Sequence, residues 1–570
     1  MSQTYDLVVR NGTIVDGSGG PGFIGDVAIR RGVIAAVGEV DGSAPEEIDG
    51  TGRLVTPGFV DIHTHYDGHV TWANRLGPSS SHGVTTVVMG NCGVGFAPCK
   101  PEDRERLVQL MEGVEDIPEV VMTAGLPWDW TSFPDYMDRL AERQFDMDVA
   151  TQVPHAPLRV FVMGDRAAAR QPATAEDIAQ MSALARQAVE AGALGFSTSR
   201  SLNHKASDGT VTPSYAAASD ELAAIAAGVG TLGRGVLQFI SDFDDVDAEF
   251  RIARRMVEES GRPLSMSLIQ FPHVPDRWRL VLDRIEEANA EGVAIKGQVC
   301  GRPIGIMLGL ELGRHPFMRT AGWREVAHLP SRPRLTALRE TDRRSAILAE
   351  HARDGTTGAN TLFVNFAQMY DFDAAGGYEP AFEQSLAAQA ASRGIDPAAF
   401  TYDLLTGGDG DTVLYMPAAN YAGNSVAAME VMLASEHTIL GLGDGGAHCG
   451  LICDASLPTY MIQRWSDSGD GHVPIEDVVR ALTAETAGAV GLGDRGRIAV
   501  GLRADLNVVD SNRLTLQRPR MVGDLPGGAG RLDQPADGYD ATIVAGQVTY
   551  AHGEPTGALP GRLVRGGAPH

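Results

Sequence analysis

The sequence predicts an α/β chain: a (β/α)8 TIM barrel with a small β-sandwich domain built from both termini and a long insertion before the last barrel strand. Three observations predict it. Eight short apolar runs recur through the middle of the chain, with helical patterns between several of them. Both ends change texture, to alternating apolar and polar residues punctuated by glycine turns. The last two apolar runs are separated by far more chain than one βα unit needs.

The elements follow in order. Residues 1–56 hold "YDLVVRNGTIVDG", "GDVAIRRGVIAAVG" and "GRLVTPG", short strands broken at Asn-Gly, Asp-Gly and Arg-Gly. They form the amino-terminal part of the sandwich. Residues 57–495 carry the barrel, with strands expected at 58–62, 85–89, 147–152, 193–197, 235–239, 263–267, 293–298 and 438–442. "TAEDIAQMSALARQAVEAG" and "SDELAAIAAGVGTLG" are helical connections. About 140 residues separate Gln298 from Thr438. The segment at about 305–425 is therefore an insertion, either a lid or substrate wall or an outer stabilising layer. Insertions that follow barrel strands emerge on the active-site side, which favours the lid. Residues 496–570, with "GRIAVGLRADLNVVD" and "ATIVAGQVTYAHGEPTG", return to the strand pattern and complete the sandwich.

Composition narrows the function. Of 570 residues, 43% are hydrophobic and 21% charged, the profile of a soluble globular protein. A formal net charge of −26 argues against nucleic-acid or anionic-membrane partners and leaves a small-molecule substrate. "MSQTYDLVVRNG" has neither a basic segment nor an apolar core, so no signal peptide is expected, and no apolar run suggests a membrane helix. Five cysteines, an odd and sparse set, fit a reducing cytoplasm. A homo-oligomer is left open.

Three features carry chemistry. In "FVDIHTHYDGH", His63 and His65 stand at i, i+2 after an apolar strand. On a strand they share a face, so both imidazoles reach one ion; alone, the pair is equally a solvated loop. Cys92 closes the apolar run "VVMGNCGVG", as a ligand at the barrel mouth or as a small buried hydrophobe. Asp444, in "TILGLGDGGAH", ends a strand and precedes two glycines; it is a base beside a metal or part of an Asp-Gly turn.

These residues carry a resemblance. "GRLVTPGFVDIHTHYD" together with "GRIAVGLRADLNVVD" resembles the metal-dependent amidohydrolase superfamily, and "DIHTHYD" followed by "MGNCGVG" resembles its N-acyl-D-amino-acid deacylase, or D-aminoacylase-like, branch. The resemblance runs nearly end to end. It implies that Cys92 is a metal ligand in place of the carboxylated lysine of other relatives; "ALGFSTSRS", at the fourth strand, has no lysine. It also implies that Asp444 is the catalytic aspartate at the end of the eighth strand. It further implies histidine ligands at the ends of strands five and six, where this chain has Gln238 and Ser267. The metal set that remains is His63, His65, Cys92 and Asp444.

The expected activity is hydrolysis of a C–N amide bond in a small N-acylated substrate, an N-acyl amino acid or similar. A metal activates water, and Asp444 acts as general base and then acid. The cofactor is Zn²⁺, one ion per chain, with another divalent ion as an alternative. Either the ion takes a fifth ligand or Asp444 stands behind it as the base. A lactone, carbamate or cyclic amide suits the same apparatus, and a barrel that has lost its strand-five and strand-six histidines could instead only bind. Weaker substrate-binding candidates are His155, Arg200, Gln238, Arg302 and His448, with His204 beside Arg200. A substrate carboxylate calls for one of the guanidiniums.

Overall fold

The computed structural model describes residues 4–354, 362–466 and 472–567, and its architecture is α/β. The two ends build one nine-stranded sheet together. Leu7–Ile14, Phe23–Arg30, Val33–Gly38, Glu46–Asp49 and Leu54–Pro57 join Leu506–Val509, Tyr539–Val544, Gln547–Ala551 and Glu554–Pro555. The seam is the antiparallel pairing of Leu54–Pro57 with Leu506–Val509. Alternation sends Leu7 and Val9, Val27 and Ile29, and Leu506 and Val508 to one face, where they form a core of their own. Val8 and Ala28, pointing the other way, pack with Tyr5.

The middle of the chain supplies eight parallel strands: β1 (Phe59–Asp61), β2 (Val84–Met89), β3 (Asp148–Thr151), β4 (Gly195–Arg200), β5 (Val236–Ser241), β6 (Leu264–Ser267), β7 (Ile295–Val299) and β8 (Thr438–Leu440). Neighbours in sequence are neighbours in space from β1 to β3 and from β4 to β8. Val153–Pro154, directly after β3, pairs with β4 and joins the two runs. All six residues of β2 are buried, as expected of a strand covered on both faces. Past the ends of β1 and β8, Thr64 and Gly445 form a parallel bridge. The His65 N–H donates to the Gly445 carbonyl at 2.7 Å, and the Asp444 N–H to the His63 carbonyl at 3.0 Å.

Three strands, β4, β5 and β8, end two residues or more from the sequence expectation. β4 runs on to Arg200, because Ser197–Arg200 stay in register with Gln238–Ser241 of β5. β8 stops at Leu440, two residues early, because the chain turns left-handed at Leu442 (φ 60°) to bring Asp444 back over β1. The connecting helices follow their sequence. Ala175–Glu190 starts in a capping box of Thr174 with Asp177 and buries Met181, Ala185, Ala188 and Val189, one face at helical spacing.

The insertion has its own three-stranded antiparallel sheet, Ile304–Leu308, Tyr370–Asp371 and Leu414–Ala419. Leu308, Phe317, Ile347, Tyr402, Leu414 and Met416 form a separate core there. His315 is buried in that layer against Trp323, with ring centroids 4.1 Å apart, and accepts the Phe317 N–H at Nδ1. Burial lowers its pKa from 6.5 to about 3. The unfolded chain therefore binds a proton that the folded chain refuses. The stabilisation from neutral His315 is complete above pH 6.5 and is lost as pH falls from 6.5 toward 3. Relative to a His315→Phe variant, the wild type is expected to lose about 1.4 kcal/mol per pH unit below 6.5. Urea unfolding of both proteins at pH 7 and pH 5 checks this; a difference that does not change with pH contradicts it. Among the described residues, no helix is long and apolar enough to cross a membrane.

Candidate metal centre

His63 and His65 sit on the short segment between the ends of β2 and β8. The Thr64 N–H donates to the Val88 carbonyl at 3.1 Å on one side, and Gly445 closes the other. The glycines of "GDGGAH" make this approach possible. A Cβ on Gly445 would lie 2.3 Å from Ser79 Oγ, and one on Gly446 (φ 89°) 2.8 Å from the His65 carbonyl oxygen.

Each imidazole has its outer nitrogen assigned. Gln298, near the end of β7, donates its amide to Ser265 Oγ at 2.7 Å, which turns its carbonyl oxygen to His63 Nδ1 at 2.6 Å. His63 therefore carries its proton on Nδ1 and presents a lone pair at Nε2. His65 Nδ1 faces Glu115 Oε1 at 3.4 Å. The two Nε2 atoms and Cys92 Sγ converge, 3.3 Å apart for His63 and 3.8 Å for His65. Asp444 Oδ1 lies 3.5 Å from His63 Nε2 and 3.7 Å from His65 Nε2.

This donor set fits a zinc-like ion. A tetrahedron with bonds of about 2.0–2.3 Å has edges of roughly 3.3–3.8 Å, the range of these separations. Charge agrees. Burial lowers His63 to about 4, so it is neutral and ready to ligate. Burial also disfavours a cationic His65, yet Glu115, Asp444 and Cys92 outweigh it and hold His65 well above the usual imidazole range. The cluster draws a positive charge to its centre. Burial pushes the Cys92 thiol up to about 12, so a thiolate there at neutral pH requires a cation beside it. Asp444 is ionised: burial opposes the charge, but His65, His63 and His448 hold its carboxyl below the usual range. Cys92, Leu442, Asp444 and His448 all have φ between 47° and 60°, non-glycine residues in the left-handed region gathered at one site.

Several expectations are corrected. Gln238 is not among the residues lining the cavity; its Oε1 accepts the Cys92 N–H at 3.2 Å and supports that strained residue. The cavity wall at the end of β5 is Ile240 and Ser241, and at the end of β6 Ser267 and Leu268. No metal-binding histidine stands at either, and His63, His65 and Cys92 are the one such cluster among the described residues. Arg200 is not among the residues lining the cavity: Glu249 holds the Nε–Nη2 edge of its guanidinium with two hydrogen bonds, at 2.6 and 2.9 Å. Arg302 is fully buried, paired with Asp454 and Ser456 and stacked over Tyr378 at 4.0 Å. His155 is fully buried between Glu221 and Thr198. His448 does line the cavity, with Nε2 3.8 Å from Glu115 Oε2.

Sequence reasoning missed Glu115 and Gln298, and it underrated His204. Ser199 Oγ accepts the Ser201 N–H at 3.2 Å and lies 2.7 Å from His204 Nδ1. His204 lines the cavity and burial lowers its pKa to about 3, so its ring is neutral; in the tautomer with Nδ1 accepting from Ser199, the N–H is on Nε2. The cavity, about 410 Å³, has the metal cluster at its foot and Phe243, Phe271, Trp278, Ile306, Leu442 and Ile452 on its walls. Ile306 is the insertion's contribution.

Glu115 faces His65 Nδ1 at 3.4 Å, where its charge would offset that of a bound ion. Glu115→Gln is expected to weaken metal affinity about 10–100-fold. Competition with a chromogenic chelator measures it, and an unchanged affinity removes Glu115 from the metal's support.

Comparison with known proteins places the chain. Residues 46–550 match the model of the amidohydrolase family. D-aminoacylase of Alcaligenes xylosoxydans xylosoxydans is 38% identical over 198 residues, 35% of this chain and 38% of that protein. N-acyl-D-glutamate deacylase of the same organism is 28% identical over 577 residues, 99% of this chain and 97% of that protein. A solved D-aminoacylase structure has the same fold, with a TM-score of 0.65 at 24% identity, over 98% of this chain and all of that one. That protein has a binuclear metal centre, activated by one metal and attenuated by the second.

Proposed function

The chain belongs to the amidohydrolase family, in its D-aminoacylase-like branch, and we propose that it hydrolyses the C–N amide bond of small N-acylated amino acids. The observation that carries this reading is the convergence of His63 Nε2, His65 Nε2, Cys92 Sγ and Asp444 Oδ1 in one cavity.

We infer one Zn²⁺ per chain, held by His63, His65 and Cys92 with Asp444 at its side. When bound, the ion supplies Lewis acidity toward the acyl carbonyl and makes water more acidic. Asp444, ionised and facing the cavity, accepts the proton of the attacking water and delivers it to the leaving amine. His204 Nε2–H donates to the carbonyl oxygen as negative charge develops there. Glu115 and Gln298 hold the two imidazoles in the tautomers the ion needs. The apolar wall excludes bulk water and strengthens each of these interactions.

The same reading covers the architecture. We take β1–β8 to close as a (β/α)8 barrel over residues 57–495. The strands of 1–56 and 496–570 make the flanking sandwich, and the layer at about 305–425 is a substrate wall touching the cavity through Ile306. Five buried thiols suit a reducing cytoplasm.

The test is direct. Protein produced with zinc is assayed for metal per chain, then offered N-acetyl-D- and N-acetyl-L-amino acids with amine release as readout. One zinc per chain and release from one enantiomeric series are expected. Metal-free protein, or zinc-loaded protein inert to the whole panel, sinks the reading.

A further inference from the structure

The cavity wall is short of positive charge. Glu115, Asp242 and Asp444 line it, and Arg277 is the one Lys or Arg among its described lining residues. Arg200 and Arg302, which the sequence offered for a substrate carboxylate, are consumed elsewhere. Arg277 is not. Its two contacts, to the Asp242 carbonyl at 2.6 Å and Asp244 at 2.9 Å, are both made by Nη1. The other edge of the fork, Nε with Nη2, is the edge that pairs bidentately with a carboxylate. Asp244 is largely exposed and Arg277 partly so, and such a pair contributes little, so it does not compete strongly for the guanidinium.

Two further features favour an anion at this place. Arg277, Trp278 and Val281 all line the cavity, so the first turn of the fourteen-residue helix Arg277–Ala290 faces it with the positive end of its dipole. In the same cavity Ser267, a residue 93% buried, has no hydrogen-bond partner for its Oγ, a donor awaiting a ligand.

We propose that Arg277 builds a single carboxylate subsite, so that the enzyme takes N-acyl amino acids with one carboxylate and an apolar side chain. This rests on the hydrolase reading above. The α-carboxylate docks on the Nε–Nη2 edge, and the side chain or acyl group packs on Phe243, Phe271 and Trp278. A second carboxylate, as in an N-acylated glutamate, meets an apolar wall and three acidic residues with no cation to receive it.

The experiment compares N-acetylleucine, N-acetylleucinamide and N-acetylglutamate, in the enantiomer the panel selects, with zinc-loaded wild type, Arg277→Ala and Arg277→Lys. Wild type is expected to favour the leucine acid over its amide about tenfold or more, and over the glutamate derivative about 100-fold. Arg277→Ala is expected to raise KM for the acid about 10–100-fold and collapse the acid-to-amide preference, with Arg277→Lys restoring part of it. A retained preference in Arg277→Ala, or wild type that cleaves the glutamate derivative as well as the leucine one, overturns the proposal. Calorimetric binding of N-acetylleucine separates the two failures. Binding that needs Arg277 without any hydrolysis keeps the subsite and sinks the hydrolase. Hydrolysis with binding indifferent to Arg277 does the reverse.

Discussion

Replacing His63 and His65 together by alanine is expected to empty the metal site and lower kcat/KM by on the order of 10⁴-fold or more. The size follows from what remains. Cys92 is left with Asp444, a soft and a hard donor without an imidazole between them, and burial alone keeps that thiol protonated. No histidine at the ends of β5 or β6 can take over, because Ile240, Ser241, Ser267 and Leu268 occupy that wall. Glu115 loses its partner on His65 and keeps His448, with Nε2 at 3.8 Å, while burial raises its pKa. The fold should survive, since the segment carrying both histidines is tied down through its backbone to Val88 and Gly445. Metal analysis and far-UV circular dichroism on the same sample check both halves. A double variant that keeps one zinc per chain would show that another set of residues holds the ion.

What the sequence disclosed of this site was the part that a local pattern marks. His63 and His65 declare themselves by the i, i+2 spacing after an apolar run, and Asp444 by its place between a strand and two glycines. The supporting residues are set by tertiary structure. Glu115 closes an ordinary amphipathic helix, Arg104–Glu115, and nothing local distinguishes it from an exposed glutamate. Gln298 left one mark, a polar residue near the end of an apolar strand. The misread arginines show the converse. Arg200 ends β4 and Arg302 sits just past β7, on the right side of the fold, but partners 49 and 152 residues away, Glu249 and Asp454, neutralise them. Gln238 failed by position along its strand: Ile240, one step further on the same face of β5, is the residue that reaches the wall. The eight strands were legible where buried apolar residues start or fill them, and the end of β8 was less so because Leu442 turns where no sequence signal marks it.

Asp444→Asn is expected to retain one zinc per chain and lose about 10²–10⁴-fold in kcat. The substitution keeps the shape and removes the ability to take a proton. Metal retention follows from the three other donors. A catalytic zinc site uses three protein ligands and keeps a position for water, and His63, His65 and Cys92 already supply three. The Asp444 oxygen lies at 3.5 and 3.7 Å from the imidazole nitrogens, with 19% of the side chain open to the cavity, where a base must be to meet water and substrate. Its carboxyl, held ionised by His65, His63 and His448 against the effect of burial, is unprotonated through the neutral range and ready to act. The variant separates two arrangements that share these distances. If the ion leaves with the charge, Asp444 is a ligand first and the three-donor account is wrong. If zinc stays and kcat falls while KM for the acyl substrate holds, the carboxylate acts on the proton. Pairing the variant with Glu115→Gln sharpens the distinction: that change is expected to act on metal affinity, whereas Asp444→Asn is expected to act on turnover at full metal occupancy.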